Sequence, residues 1–389
     1  MQKPFSAHRL LTLAALLAAL PAAAAPDNIT GLKETGEANA VSRDGSVVVG
    51  RSPRATVWSG SNWANKTDLG TLKADNSGTS IAWAVSHDGS VVVGQSDDDS
   101  DALDRATVWS GSGWTAKTDL GTLKSDNSGW AVANAVSSDG SMVAGRAEND
   151  DGESRATIWS GSGWGTKTDL GTLRSDNSGY SEVSAVSDDA SVVVGHSYND
   201  NDSSSIHAAV WSGNGWTTKT DLGTLAAGNS GTSFATSVSG DGSVIAGWSY
   251  TDDLNIGRAI VWSGNGWTTK TDLGTLKSDN SGESRAWAVS SDGSMVAGQA
   301  DNDNGEYRAT VWSGSGWGTK TDLGTLKTDN SGYSSVEDIS ADGNFAVGKS
   351  EGENHAFRAV VWNLRSLNIR AADTANTRAS LSLLSADTA

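Results

Sequence analysis

Between residues 28 and 363 the apolar positions come in short alternating runs broken by Gly, Asp, Asn and Ser, and the order of runs repeats roughly every fifty residues. The clearest copy is Asn134 to Leu173: NAVSSDGSMVAG, a polar loop, RATIWS, GSGW and TKTDLGTL. A phrase V/I-S-x-D-G/A-S/N-x-x-x-G begins at Val41, Val85, Val136, Val186, Val238, Val289 and Ile339, so there are seven copies, the first followed by the shortest interval. Each copy predicts four strands. Strand a ends at Val136-Ser137, the turn Ser138-Asp139-Gly140 follows, and strand b runs from Ser141 to Gly145; Asp-Gly between apolar runs is a strong hairpin signal. Strand c is Arg155 to Trp159, β-branched and aromatic, and after the turn Ser160 to Gly163 strand d runs from Trp164 to Leu173. Four consecutive antiparallel strands recurring at this period are the pattern of a β-propeller blade.

The two ends of the array favour a closed ring. The seventh copy has strands a, b and c, ending at Trp362-Asn363, with no GSGW or DLGTL after it. Before the first strand a stands an orphan, Asn28-Ile29-Thr30-Gly31-Leu32, which reads as a worn strand d. Joined, the leading d and trailing a, b and c make a seventh four-stranded sheet and remove the open edges of a linear array. The expected fold is therefore an all-β, seven-bladed propeller of four-stranded antiparallel blades, over residues 26–363. A β-solenoid is the competing architecture, but its coils are shorter and have no need of Asp-Gly and Gly-Ser-Gly hairpins.

Residues 1–25 have the pattern of a secretory signal: Lys3 and Arg9, the apolar run Leu10 to Leu20, then Ala22 to Ala25. That run is too short for a membrane anchor. Residues 364–389 are rich in Ala, Ser, Thr and Leu and predict a short helix or a disordered tail. The tail lacks the alternating strands of a membrane barrel, so self-translocation is not expected of this sequence. Cysteine is absent, which leaves stability to packing.

The packing is aromatic. Of 17 Trp, seven close strand c: Trp58, Trp109, Trp159, Trp211, Trp262, Trp312 and Trp362. So regular a ladder predicts blade-on-blade contact. A second series, Trp63, Trp114, Trp164, Trp216, Trp267 and Trp317, opens strand d. Its members are expected to lock the Gly-rich turn, with a carbohydrate platform as the alternative.

Charge then separates the two ends of the propeller. The a–b and c–d turns, on one face, are short and uniform. The b–c and d–a loops, on the other, are long and hold about half of the 46 acidic residues, in a chain of net charge −18. Candidate binding residues on this rim are Asp97, Asp98, Asp99, Asp101, Glu148, Asp150, Asp151, Asp301 and Asp303. An acidic rim suits a basic partner or Ca²⁺, but a solvated loop set is the commoner reason for such charge runs, and the spacing favours it. The loop Asp301 to Glu306 comes nearest a calcium loop, but its Gly305 is one position early and no Glu follows at the twelfth position. Nucleic acid is excluded as a partner by the lack of a basic stripe. His196, Asp200, Asp202 and His207 bracket one b–c loop and form a candidate two-His, two-Asp metal site present in that copy alone. No H-E-x-x-H or phosphate-binding Gly loop occurs.

The repeat resembles the HAF family of extracellular bacterial repeats, which combine D-L-G-T-L, A-V-S-x-D-G-S-x-V-V-G and a strand ending H-A-F-x-W. Asp119 to Leu123 and Ala135 to Gly145 match the first two phrases; for the third, His207 to Trp211 comes nearest, and other copies read R-A-T/I/V-V/I-W. The resemblance covers roughly residues 28–363. It implies export, with extracellular, cell-surface or periplasmic residence, sometimes as an autotransporter passenger, and it carries no catalytic residue. The expected function is a monomeric, non-catalytic module for protein interaction or adhesion through the acidic loop face, with no cofactor and no transmembrane segment. A lectin-like propeller using the second Trp series is the alternative, and a propeller glycosidase or lyase the third.

Overall fold

The computed structural model describes residues 28–367, apart from 101–103, 202–205 and 254–255. The proposed leader at 1–25 and the tail beyond Leu367, together with Asp101 and Asp202, lie outside the described residues. The described chain forms seven four-stranded antiparallel sheets, and six of them are built from consecutive strands. No described helix is long and apolar enough to cross a membrane.

Blade 3 shows how one copy folds. Strand a is Ala131–Val136, b is Val143–Glu148, c is Ser154–Ser160 and d is Thr166–Asp169. The a–b turn is held by Asp139, whose carboxylate accepts the Ser141 N–H at 2.9 Å and the Ser137 hydroxyl at 2.7 Å. Those hydrogen bonds pull its carboxyl down to about 2. Strand a carries a bulge between Ala133 and Ala135, and strand b accommodates it with Gly145. A Cβ on Gly145 would lie 2.0 Å from the carbonyl oxygen of Val132. This Gly, present in every copy of the repeat phrase, lets the bulged backbone approach.

Strand d is shorter than its sequence suggests. Gly161, Gly163 and Trp164 all take positive φ in the c–d turn, so Trp164 belongs to the turn and the strand begins two residues later. At its other end Asp169 accepts the Gly171 N–H at 2.7 Å, and Gly171, at φ +72°, bends the chain out of the sheet. The Leu170 that follows the strand turns inward and is buried. The DLGTL phrase is thus a capped corner that leads the chain to the next blade, not the end of a strand.

Each strand-c Trp is at most 1% exposed and packs across to the preceding blade. Trp109 of blade 2 lies among Ala40, Val49, Val57 and Leu69 of blade 1, and Trp58 of blade 1 lies among Val347, Ala359 and Val361 of blade 7. Burying a Trp gives on the order of 5 kcal/mol of gross apolar stabilisation. A second inter-blade link runs along the outside. Lys117 of strand d in blade 2 donates to the Thr71 carbonyl and the Asn76 side chain, both at 2.7 Å, in the loop that leaves blade 1. Lys167, Lys219, Lys270 and Lys320 repeat the arrangement.

The ring closes as the two ends of the array predict. Ile29–Thr35 pairs antiparallel with Phe357–Asn363, Ile29 opposite Trp362 and Gly31 opposite Val360, and supplies strand d of blade 7. Only Gly36 separates it from Glu37–Val41, strand a of blade 1. Two residues secure the seam. Leu32 is buried with Val41, Trp58 and Val361, drawing on both blades. Asp338, where other blades have Ala or Ser, accepts the Val41 N–H at 2.9 Å and the Ile339 N–H at 2.8 Å. Burial outweighs those hydrogen bonds and pushes its carboxyl up to about 7.

Leu32→Ala should lower the free energy of unfolding by about 2–4 kcal/mol, measured by urea denaturation. Asp338 gives a pH signature. With its folded value raised above that of the unfolded chain, the native state binds the extra proton between about pH 4 and 7, so this group favours folding more as pH falls through that window. The Asp338→Asn protein should show a flatter dependence of melting temperature on pH between 4.5 and 7.5 and should gain most over wild type at pH 8. Glu337, also pushed up by burial, keeps some of the slope.

Candidate functional site

On the short-turn face, the second Trp series is tied down one blade at a time. The Trp114 indole N–H donates to the Gly89 carbonyl at 2.9 Å, joining the c–d turn to the a–b turn of its own blade. Trp63, Trp164, Trp216, Trp267 and Trp317 make the same bond to Gly45, Gly140, Ala190, Gly242 and Gly293 at 2.8 to 3.1 Å. All six are half-buried. Their rings stand on separate blades, each committed to its own turn.

The acidic loop face is largely a set of caps. Asp150 accepts the Ser125 N–H at 2.9 Å, Asp99 the Ala74 N–H at 3.1 Å and Asp303 the Ser278 N–H at 2.8 Å. In each case the b–c loop of a blade holds the d–a loop entering that blade. Asp97 accepts the Thr79 N–H at 2.8 Å and Asp301 the Glu283 N–H at 3.0 Å. Glu148 pairs with Lys124 at 2.6 Å, and Asp98 bonds Ser100 and lies 3.7 Å from Arg105. Asp151 is exposed at a loop tip. Loops without regular pairing need acceptors for their N–H groups, and these carboxylates serve them. Among the described residues no three His, Asp or Glu converge in a geometry that would hold a metal ion.

The structure separates the paired histidines. In the blade 4 ladder Ser197 faces His207 while His196 faces Ala208, so the two imidazoles project from opposite sides of the sheet. His207 Nδ1 lies 2.8 Å from Asp221, taking the place of the buried Arg that pairs with the strand-d Asp in other blades, such as Arg105 with Asp119 at 2.8 Å. Asp200 accepts the Ser175 N–H at 3.1 Å. His196 instead stands between Tyr180 and Phe234, and burial lowers its pKa to about 4, which keeps it neutral near pH 7.

That environment belongs to a site the loops do not reveal. Because of the strand-a bulge, the residue two before the end of each strand a faces the axis: Asn39, Trp83, Asn134, Ser184, Thr236, Trp287 and Glu337 line one cavity of about 230 Å³. Nearer the loop face, the residue two positions earlier in strand a pairs across to strand b. The pairs are Glu37–Arg51, Ile81–Gln95, Val132–Arg146, Glu182–His196, Phe234–Trp248, Arg285–Gln299 and Ser335–Lys349. No two pairs are alike, although the residues on either side barely change from copy to copy. Neighbouring side chains from this ring touch. His196 and Phe234 have ring centroids 4.6 Å apart, Phe234 stacks on Trp248 at 4.4 Å, and Arg285 covers Trp248 at 4.8 Å. Arg146 bonds Glu182 at 2.9 Å and lies 5.0 Å over Trp130. The sequence signal for this site is the set of Trp outside both periodic series: Trp83, Trp130, Trp248 and Trp287 all lie in the channel or at its mouth.

No family model and no curated protein sequence matches the chain. Solved structures share its fold at low identity. TolB from Acinetobacter baumannii is 13% identical over 75% of this chain and 63% of its own, with a TM-score of 0.44. The β-propeller domain of the Trilobed protease from Pyrococcus furiosus is 10% identical over 85% of this chain and 96% of its own, TM-score 0.48. Prolyl oligopeptidase B from Galerina marginata is 10% identical over 85% of this chain and 52% of its own, TM-score 0.51. The chain therefore spans less than two thirds of the TolB and oligopeptidase chains, and what it has in common with the oligopeptidase is the propeller architecture.

Proposed function

We propose that the chain is an exported, non-catalytic binding module that engages a protein outside the cytoplasm through its acidic loop face, centred on the mouth of the channel. The observation that carries this reading is the divergence of the seven cross-strand pairs. A repeated scaffold keeps what folding requires, and here Gly145, the strand-c Trp and the DLGTL corner recur almost unchanged. The mouth, by contrast, presents seven different pairs, with an aromatic arc over blades 4 and 5, the uncharged Ile81–Gln95 in blade 2 and pairs that include a charged residue in the others. An asymmetric mixture of aromatic and Arg side chains is the composition of interface hot spots. The rim carboxylates hold the loops that surround this surface and add long-range attraction for a basic partner. Likeness of the repeat to HAF proteins supports export. The non-catalytic reading is supported by the histidines: His207 is buried against Asp221, and His196 is packed between rings at a lowered pKa.

Phe234→Ser with Trp248→Gln places at blade 5 residues that blades 7 and 6 already carry, so the fold should survive. A photo-crosslinking residue at Asn304, exposed on the loop face beside the mouth, should capture discrete partner bands in cells making the chain. The double variant should weaken capture about tenfold or more at unchanged melting temperature. The same crosslinker at Trp114, on the short-turn face, should give none. Equal capture from both faces, or capture indifferent to the double variant, would overturn the reading.

A further inference from the structure

A well-formed depression on the loop face lies between blades 2 and 3, where a cavity of about 670 Å³ is lined by Gln95, Asp97, Asp98, Asp104, Trp130 and Arg146, with Lys73, Val132, Ser154 and Tyr180 completing the wall. Its volume falls within the range of small-molecule sites, roughly 300–1,000 Å³. The wall residues come from positions at which the copies diverge. Trp130 stands where blades 2 and 5 have Thr79 and Thr232, Arg146 where blades 2 and 6 have Gln95 and Gln299, and Ser154 where blade 2 has Asp104. The cavity is therefore a product of particular substitutions and not of the repeat.

Three features define what it would take. First, it is aromatic on one side: Trp130 and Tyr180 line it, and Arg146 holds Trp130 from above at 5.0 Å. Second, the charges on the wall come close to cancelling. Asp97, Asp98 and Asp104 face Lys73 and Arg146, and Asp97 and Asp98 are partly occupied by the Thr79 N–H and by Arg105. A strongly charged ligand would meet like charge on one wall whatever its sign. Third, polar groups are left over. Ser154 Oγ and Arg146 Nε are buried and have no hydrogen-bond partner among the described residues, a state that buried polar atoms rarely keep. Bidentate acceptors, a guanidinium, an amide and a hydroxyl around an aromatic surface match vicinal hydroxyl groups whose ring C–H faces lie against the aromatic rings.

We infer that this cavity is a binding site for a short neutral saccharide, distinct from the turn-locking Trp series on the opposite face. The inference rests on the loop face being the binding face, but it needs no protein partner. Binding is of the weak, open-site kind, with dissociation constants on the order of 0.1–1 mM.

The probes are cellobiose, maltose, lactose and N,N′-diacetylchitobiose, titrated into the full chain and followed by saturation-transfer NMR and tryptophan fluorescence. At least one should bind. Trp130→Thr and Arg146→Gln, each a residue another blade uses in the same place, should weaken that binding tenfold or more with the melting temperature unchanged, while Ser162→Ala, exposed on the short-turn face of the same blade, should leave it as in wild type. Failure of all four sugars at 10 mM, or binding that survives Trp130→Thr, would overturn the site. Preferential binding of tri-arginine would do so too, by showing that the three aspartates set the specificity. These outcomes are independent of the crosslinking readout, since a mouth that captures protein but ignores sugars defeats only the saccharide site.

Discussion

The contact on which the whole molecule depends is the strand-c Trp lying against the blade before it. One blade has too little apolar surface to fold alone, and its flat faces have to be covered on both sides. Seven indoles, each reaching back by one blade, provide that cover, and the wedge they fill sets how far each sheet turns from the last. This kind of stability is nearest-neighbour, as in other repeat proteins. Here the chain of neighbours has no end, because Trp58 meets blade 7 and Ile29–Thr35 completes that blade's sheet. Lys117 and its four equivalents repeat the message in polar form around the outside, binding the strands d of blades 2 to 6 to the corner of the previous blade.

Much of this could be read directly from the residues. A Trp at a constant place in seven copies, and a missing strand at one end matched by a spare at the other, specify both the packing and the closure. The outermost strand was less legible, because Trp164 and Gly171 take left-handed backbone conformations that a β-rich composition conceals. The acidic loops misled in a different way. Their charge is visible in sequence, but nothing local says that Asp150 satisfies a backbone N–H of Ser125 in another loop. The mouth was hidden because its residues sit inside strands, where a lone Phe234 or Arg285 reads as ordinary variation. Only the propeller topology gathers such positions around one axis. Aligning the seven copies with one another, and asking where they disagree, would have pointed to them.

The scaffold and its working surface thus follow opposite rules. Where a side chain supports the ring, the copies nearly agree; where it faces the mouth, each copy is free, since the cross-strand pair there can change without altering the backbone ladder that carries it. Tyr180 illustrates the freedom: its hydroxyl donates to Glu182, and burial beside that carboxylate raises its pKa, so one aromatic residue at the start of a strand organises an acid, Arg146 and His196. His207 shows the limit. It replaces an Arg in the supporting network and still meets the same Asp.

The placement of the seam bears on how such a ring changes size. Because the closing sheet is assembled from both ends of the array, a crossover between near-identical copies that adds or deletes one fifty-residue unit between Val85 and Val289 removes or inserts a whole blade's worth of strands and leaves the terminal strands as they are. A ring of another blade count would keep the same closing strands, and its size would be limited by the wedge angle that the tryptophans tolerate. A ring with one blade more or fewer would have a wider or narrower channel mouth with the same seam.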